Sequence, residues 1–215
     1  MAVVTVYGMT ESGKSFYTQN TFIKNLDKVI IFDFMNCFKG GDSYILKNKN
    51  DAIKILNKYS KKSKYKIIFR LERSSNPSKL CDIAISIACA LGRSLGPYNP
   101  NNRVWLIIDE ADKVVSSHYQ SKRVKHLVNV GRHDNVDSLF IARNPNRLHT
   151  DIRANASQVI TFQLPTALEI REFKNNFGRE NCKTIRELKK YNCFTWKDNG
   201  EMTIIDEKGR VIWSK

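Results

Sequence analysis

Short apolar runs alternate with longer amphipathic stretches along most of this chain, a rhythm that predicts an α/β fold with a mostly parallel central sheet flanked by helices. The runs at 3–7, 29–34, 67–71, 104–109, 138–142 and 159–163 read as strands. Helical spacing marks 15–24, 52–59, 78–91, 119–130 and 166–177, with a weaker helix at 180–190. Gly96, Pro97 and Pro100 make the 92–102 stretch a loop ahead of a strand. Beyond residue 191 the character changes. Runs at 194–196, 202–205 and 211–213, separated by Asp198-Asn199-Gly200 and Lys208-Gly209, predict a small antiparallel meander. The chain therefore divides into a core, 1–178, and an appendage of helix and meander, 179–215. That appendage reads equally as a docking surface and as a cap on an exposed sheet edge.

Composition bounds the picture further. A chain of 215 residues is one large domain, or one domain with a small appendage, and 41% hydrophobic residues suffice for a real core. The longest apolar stretch, 83–91, is interrupted by Ser86 and is too short to span a bilayer. The chain enters a strand at once, so no secretory leader is expected, and a cytoplasmic location follows. Cys37, Cys81, Cys89, Cys182 and Cys193 are odd in number and show no C-x-x-C spacing, which suits reduced thiols better than a metal site. The formal net charge of +15 points to a polyanionic partner, most often nucleic acid. Its densest cluster, Lys58, Lys61, Lys62, Lys64 and Lys66 with Tyr59 and Tyr65 between them, is either a solvated loop or a phosphate contact.

The strongest chemical signal lies between the first strand and the first helix. Residues 8–15 read Gly-Met-Thr-Glu-Ser-Gly-Lys-Ser, the G-x-x-x-x-G-K-[ST] pattern in its strand–loop–helix context. Glycines let the backbone close around a phosphate, while successive amides and the helix start attract anions. Gly8, Met9, Thr10, Glu11, Ser12, Gly13, Lys14, Ser15 and Phe16 are therefore the candidate nucleotide-binding residues. Lys14 would face the β- and γ-phosphates of ATP, and the Ser15 hydroxyl would hold Mg²⁺.

The strand at 104–109 ends in Asp109-Glu110. Buried parallel strands read as continuous apolar runs, and ligands bind beyond their carboxyl ends. Asp109 would hold Mg²⁺ near Ser15, and Glu110 would orient and deprotonate the attacking water. An N-cap for the following helix is the plainer use of such a pair; the loop at 8–15 favours the catalytic one. Hydrolysis also needs a cation on the γ-phosphate. Arg132, before the strand at 138–142, and Arg143, after it, are the candidates, with Arg70 and Arg73 behind them. Helix-end complementarity and surface ion pairing are the ordinary alternatives for Arg132 and Arg143. His133 reads as satisfied at a helix end, and Trp105 as core.

These motifs resemble the FtsK/HerA branch of P-loop ATPases, ring motors that pump double-stranded DNA. The resemblance rests on residues 8–15, on Leu106-Ile107-Ile108-Asp109-Glu110, and on the stretch from Arg132 through Arg143 and Pro145 to Ile152-Arg153-Ala154-Asn155 and Val159-Ile160-Thr161-Phe162. Arg143 stands where that branch commonly has Gln. The Gly-Arg-His and Ala-Arg-Asn-Pro wording is most similar to genome-packaging ATPases of tailless, membrane-containing icosahedral viruses. The resemblance implies a RecA-like fold and a homo-oligomeric ring of five or six subunits. It also implies Arg132 reaching the neighbouring site, sequence-independent contact with double-stranded DNA, and a capsid vertex or membrane protein as partner. Arg143 would then serve as sensor or second finger. Rival readings are a filamentous-phage assembly ATPase, a small-molecule kinase, and a basic DNA-binding structural protein.

Overall fold

The structure, a computed structural model, describes residues 2–46, 49–72, 76–164 and 166–215. Seven parallel strands form its centre: β1 (Val3–Tyr7), β2 (Lys28–Asp33), β3 (Asp42–Ile45), β4 (Tyr65–Arg70), β5 (Val104–Ile108), β6 (Val136–Ala142) and β7 (Gln158–Thr161). Three antiparallel strands continue the same sheet: β8 (Cys193–Lys197), β9 (Met202–Ile205) and β10 (Val211–Ser214). The order across the sheet is β10-β9-β8-β7-β1-β6-β5-β2-β4-β3. The helices are α1 (Lys14–Tyr17), α2 (Lys49–Tyr59), α3 (Pro77–Arg93), α4 (Lys122–Val130), α5 (Thr150–Ala154) and α6 (Ala167–Arg186).

Side chains alternate across the sheet, so it is buried on two faces. Val3, Tyr7, Ile30, Phe32, Leu106, Ile108 and Phe140 join one core with residues of α2, α3, α4 and α6. Val4, Val6, Ile31, Ile107, Leu139, Ile141 and Ile160 face the other, with Tyr17, Ile23 and Phe38. Trp105 packs against this second core while only half-buried, its ring 5.1 Å from Phe22. Local chemistry sets the helix starts. Asn76 accepts the Lys79 amide at 3.2 Å with Pro77 at the first helical position, and Ser121 accepts the Val124 amide at 3.2 Å.

Several elements differ from expectation for identifiable reasons. The expected helix at 15–24 is one α-turn followed by a wider π-type stretch, Thr18–Phe22, closed by the Ile23 amide on the Thr18 carbonyl at 2.9 Å. The helix expected from 119 starts at Lys122, where Ser121 caps it. The helices expected at 166–177 and 180–190 are one, α6, which runs across the 178/179 boundary drawn from the sequence. The edge strand β3 and the single-turn α5 had no apolar period to reveal them. Asp42-Ser43-Tyr44-Ile45 is largely exposed and is held by backbone pairing with β4. The meander forms at the expected places, and β8 pairs with β7, covering that edge of the parallel sheet.

Close approach of α3 to the turn before β6 makes a sharp prediction. A Cβ on Gly92 would lie 2.0 Å from the Asp134 carbonyl oxygen, a backbone atom that cannot swing away. Gly92→Ala is expected to destabilise the fold by about 3 kcal/mol, read as a lowered denaturation midpoint. A midpoint equal to wild type would show that the two segments are not packed this way.

Candidate functional site

The carboxyl ends of β1, β5 and β6 are adjacent because β6 lies between the other two. Backbone hydrogen bonds join the segments leaving them. The Gly8 amide donates to the Arg143 carbonyl at 3.1 Å, Phe162 to Tyr7 at 2.8 Å, and Asp109 to Phe32 at 3.0 Å. The chain leaving β1 crosses to β2, beyond β5, whereas the chain leaving the adjacent β6 crosses the other way to β7, and these opposed crossings open a crevice at the strand ends.

The loop at 8–13 occupies that crevice and ends on Gly13, whose φ of 104° opens α1 from a left-handed conformation. The Lys14 ammonium is buried and donates to the Gly8 and Met9 carbonyls, both at 2.7 Å. Burial lowers its pKa, while the nearby Glu110 and Asp109 carboxylates oppose that shift. A cavity of about 850 Å³ is lined by residues 10–17, by Asp109 and Glu110, and by Tyr191 and residues 206–208.

Asp109 is 2% exposed, and its pKa is pushed up to about 7 by burial and by the charges of Asp33 and Glu110. Glu110 holds a left-handed backbone conformation, φ 45° and ψ 48°, uncommon for a side chain of its size and frequent at functional sites. The Arg143 guanidinium nitrogen Nε lies 3.6 Å from Glu110 Oε2. Among the described residues Ser12 Oγ, Asp109 Oδ2 and Glu110 Oε2 are buried without a hydrogen-bond partner. Oxygen ligands of this kind, beside a cavity that carries a buried lysine, fit a divalent cation and a polyphosphate. Ser15 and Asp109 line the same cavity and can hold the cation together.

The structure thus brings Lys14, Ser15, Asp109, Glu110 and Arg143 to one place. Arg132 is not there. It sits on the 131–134 turn before β6, at the amino end of that strand, exposed and with its guanidinium 4.8 Å from the Tyr98 ring. Arg70, at the end of β4, is engaged by Asp33 at 3.5 Å and by the Phe38 carbonyl at 3.0 Å. Arg73 lies outside the described residues. Asp33 was overlooked in the sequence. It is fully buried, accepts the Cys37 and Phe38 amides at 2.9 and 3.1 Å, and adds a third acid beside Asp109. A strand ending in an acid, as 104–109 does, was the available signal.

The fold and the loop together define a RecA-like P-loop NTPase fold. Among solved structures, the chain is similar to the genome packaging NTPase B204 of Sulfolobus turreted icosahedral virus 2 in complex with ATP-gammaS. The TM-score is 0.73 at 19% identity, covering 94% of this chain and 96% of that one. It is also similar to VirB4 of Thermoanaerobacter pseudethanolicus, with TM-score 0.64, 10% identity, and 94% and 88% of the two chains covered. The bacterial conjugative coupling protein TrwB, lacking its first 70 residues, gives TM-score 0.63 at 11% identity, covering 94% and 84%. These neighbours share the fold that the resemblance implied. No protein-family profile and no curated protein sequence matches the chain. Among the described residues no helix is long and apolar enough to cross a membrane.

Proposed function

We propose that the chain is the subunit of an ATP-hydrolysing motor that moves double-stranded DNA without reading its sequence, as in viral genome packaging. The observation that carries this reading is the convergence of Lys14, Ser15, Asp109 and Glu110 on one cavity at the strand ends. Ser15 and Asp109 would hold Mg²⁺, which would supply charge neutralisation to a bound triphosphate. The loop amides and the Lys14 ammonium bind and orient those phosphates. Glu110, clamped in an unusual backbone conformation, positions a water and takes its proton. Arg143 is 3.6 Å from that carboxylate and is placed to report on the γ-phosphate.

Nucleic acid enters through charge and fold together. The net charge of +15 suits a polyphosphate track bound through its backbone. One neighbour, solved with ATP-gammaS and with AMPPCP, is a virus genome packaging NTPase. On this reading the subunits form a ring of five or six. It works in the host cytoplasm at a capsid vertex or against a membrane protein.

The test is ATP hydrolysis with and without duplex DNA, alongside particle mass in solution. Stimulation by DNA and a mass of five or six subunits are expected, with all turnover lost in Lys14→Ala. Turnover indifferent to DNA in a monomer would overturn the motor reading.

Arg132 is far along β6 from its own chain's phosphate loop, which suits action on a neighbouring subunit. Mixing Arg132→Ala with Glu110→Gln subunits is expected to recover part of the activity that each lacks alone. No recovery at any ratio would place the arginine's role elsewhere.

A further inference from the structure

The cavity at the phosphate loop extends beyond residues 10–15, and part of its wall belongs to the C-terminal segment. Tyr191, just before β8, and residues 206–208, in the turn between β9 and β10, line it together with Phe16 and Thr21 of the first helical segment. Two large hydrophobic side chains in this lining, Phe16 and Tyr191, are 64% and 44% exposed. An aromatic ring left open in the wall of a cavity that reaches a phosphate loop is poised for an apolar part of a ligand held there.

Tyr191 is also held there against local preference. Its φ is 69°, a left-handed conformation that is a true outlier for an aromatic residue. The ring sits over the loop: a Cβ on Gly13 would lie 3.1 Å from Tyr191 Cδ1. The part of the wall at 206–208 is fixed as well. Asp206 accepts the amides of Lys208 and Arg210, both at 2.9 Å, and the Arg210 Nε at 2.8 Å. Beyond Lys208, Gly209 passes beside Thr21, where its Cβ would be 3.5 Å away. Such a closed turn is a pre-formed surface that loses little freedom when a ligand arrives.

We propose that Tyr191 and the 206–208 turn form the subsite for the nucleoside of the triphosphate, with the base stacked on the Tyr191 ring. The inference rests on the nucleotide reading of the phosphate loop and assigns the C-terminal meander a role in it. The exposed Lys190 holds its ammonium 5.0 Å from the Tyr191 ring, and a base on that face displaces it. Base–aromatic stacking accounts for a loss of about tenfold to a hundredfold in affinity when the ring is removed.

The experiment compares AMPPCP with inorganic tripolyphosphate, which has the phosphates and no nucleoside, by titration calorimetry with Mg²⁺ on the full chain. Tyr191→Ala is expected to weaken AMPPCP by about tenfold or more, with tripolyphosphate affinity within about twofold of wild type. Tyr191→Phe, which keeps the ring, should bind both as wild type does. Equal AMPPCP affinity in Tyr191→Ala and wild type would overturn the inference. An equal loss for both ligands would also overturn it, since the tyrosine would then be supporting the loop. Wild-type protein that binds tripolyphosphate and AMPPCP equally lacks a base contact, which sinks the subsite and leaves the phosphate loop standing. Wild-type protein that binds neither would remove the nucleotide reading itself.

Discussion

Glu110→Gln is expected to reduce ATP turnover by about 10²–10⁴-fold, the range for loss of a general base, while leaving ATP affinity within a few-fold. The substitution keeps the side chain's size and takes away only its charge and its ability to accept a proton. On the proposed reading the phosphate contacts belong to other residues, Lys14 and the loop amides at 8–15, so binding should survive. The backbone at 110 is left-handed in either variant, and the 3.6 Å contact with the half-exposed Arg143 is the main interaction lost. Single-turnover hydrolysis and equilibrium nucleotide binding, measured on the same preparation, decide the matter. Turnover near wild type would remove Glu110 from the chemistry and leave Asp109 or Asp33 as the base.

Asp109→Asn should produce opposite effects on activity and on stability. The carboxyl is buried beside Asp33 and Glu110, and its pKa of about 7 means that the folded chain keeps a proton that the unfolded chain releases near pH 4. Its contribution to stability therefore falls as pH rises from about 4 to about 7, and stays low above that. By linkage the ionised form costs at most about 4 kcal/mol. In chelator, the asparagine variant should melt several degrees above wild type at pH 8, with the gain shrinking toward pH 5. With Mg²⁺ and ATP the order should reverse, since only the wild type gains from the bound metal. Equal melting shifts at both pH values would show that the acids do not repel one another in the fold.

Much of this was legible along the chain. The strands β1, β2, β4, β5, β6 and β7 are apolar runs bounded by turn residues, and burial on both faces of a parallel sheet leaves that mark on any sequence. The phosphate loop was legible because its backbone geometry demands glycine at particular positions, and Asp109-Glu110 because two acids closing an apolar strand need a reason. The meander showed through its turn residues. Elements held by other means stayed hidden. The strand β3 depends on pairing with β4, and Asp33 looked like an ordinary strand end.

The sequence by itself determined the kind of sheet, the place of the phosphate loop and the acids that face it. These follow from local periods and from backbone needs that a few neighbouring residues satisfy. The sequence also put Arg132 before and Arg143 after one strand; only the tertiary structure decided that Arg143 lies beside Glu110, because that contact depends on β6 pairing with β5. The tertiary structure likewise brought Tyr191 and the 206–208 turn to residues 10–17. Roughly 175 to 200 positions separate them along the chain, and the pairing of β8 with β7 brings them together across the sheet.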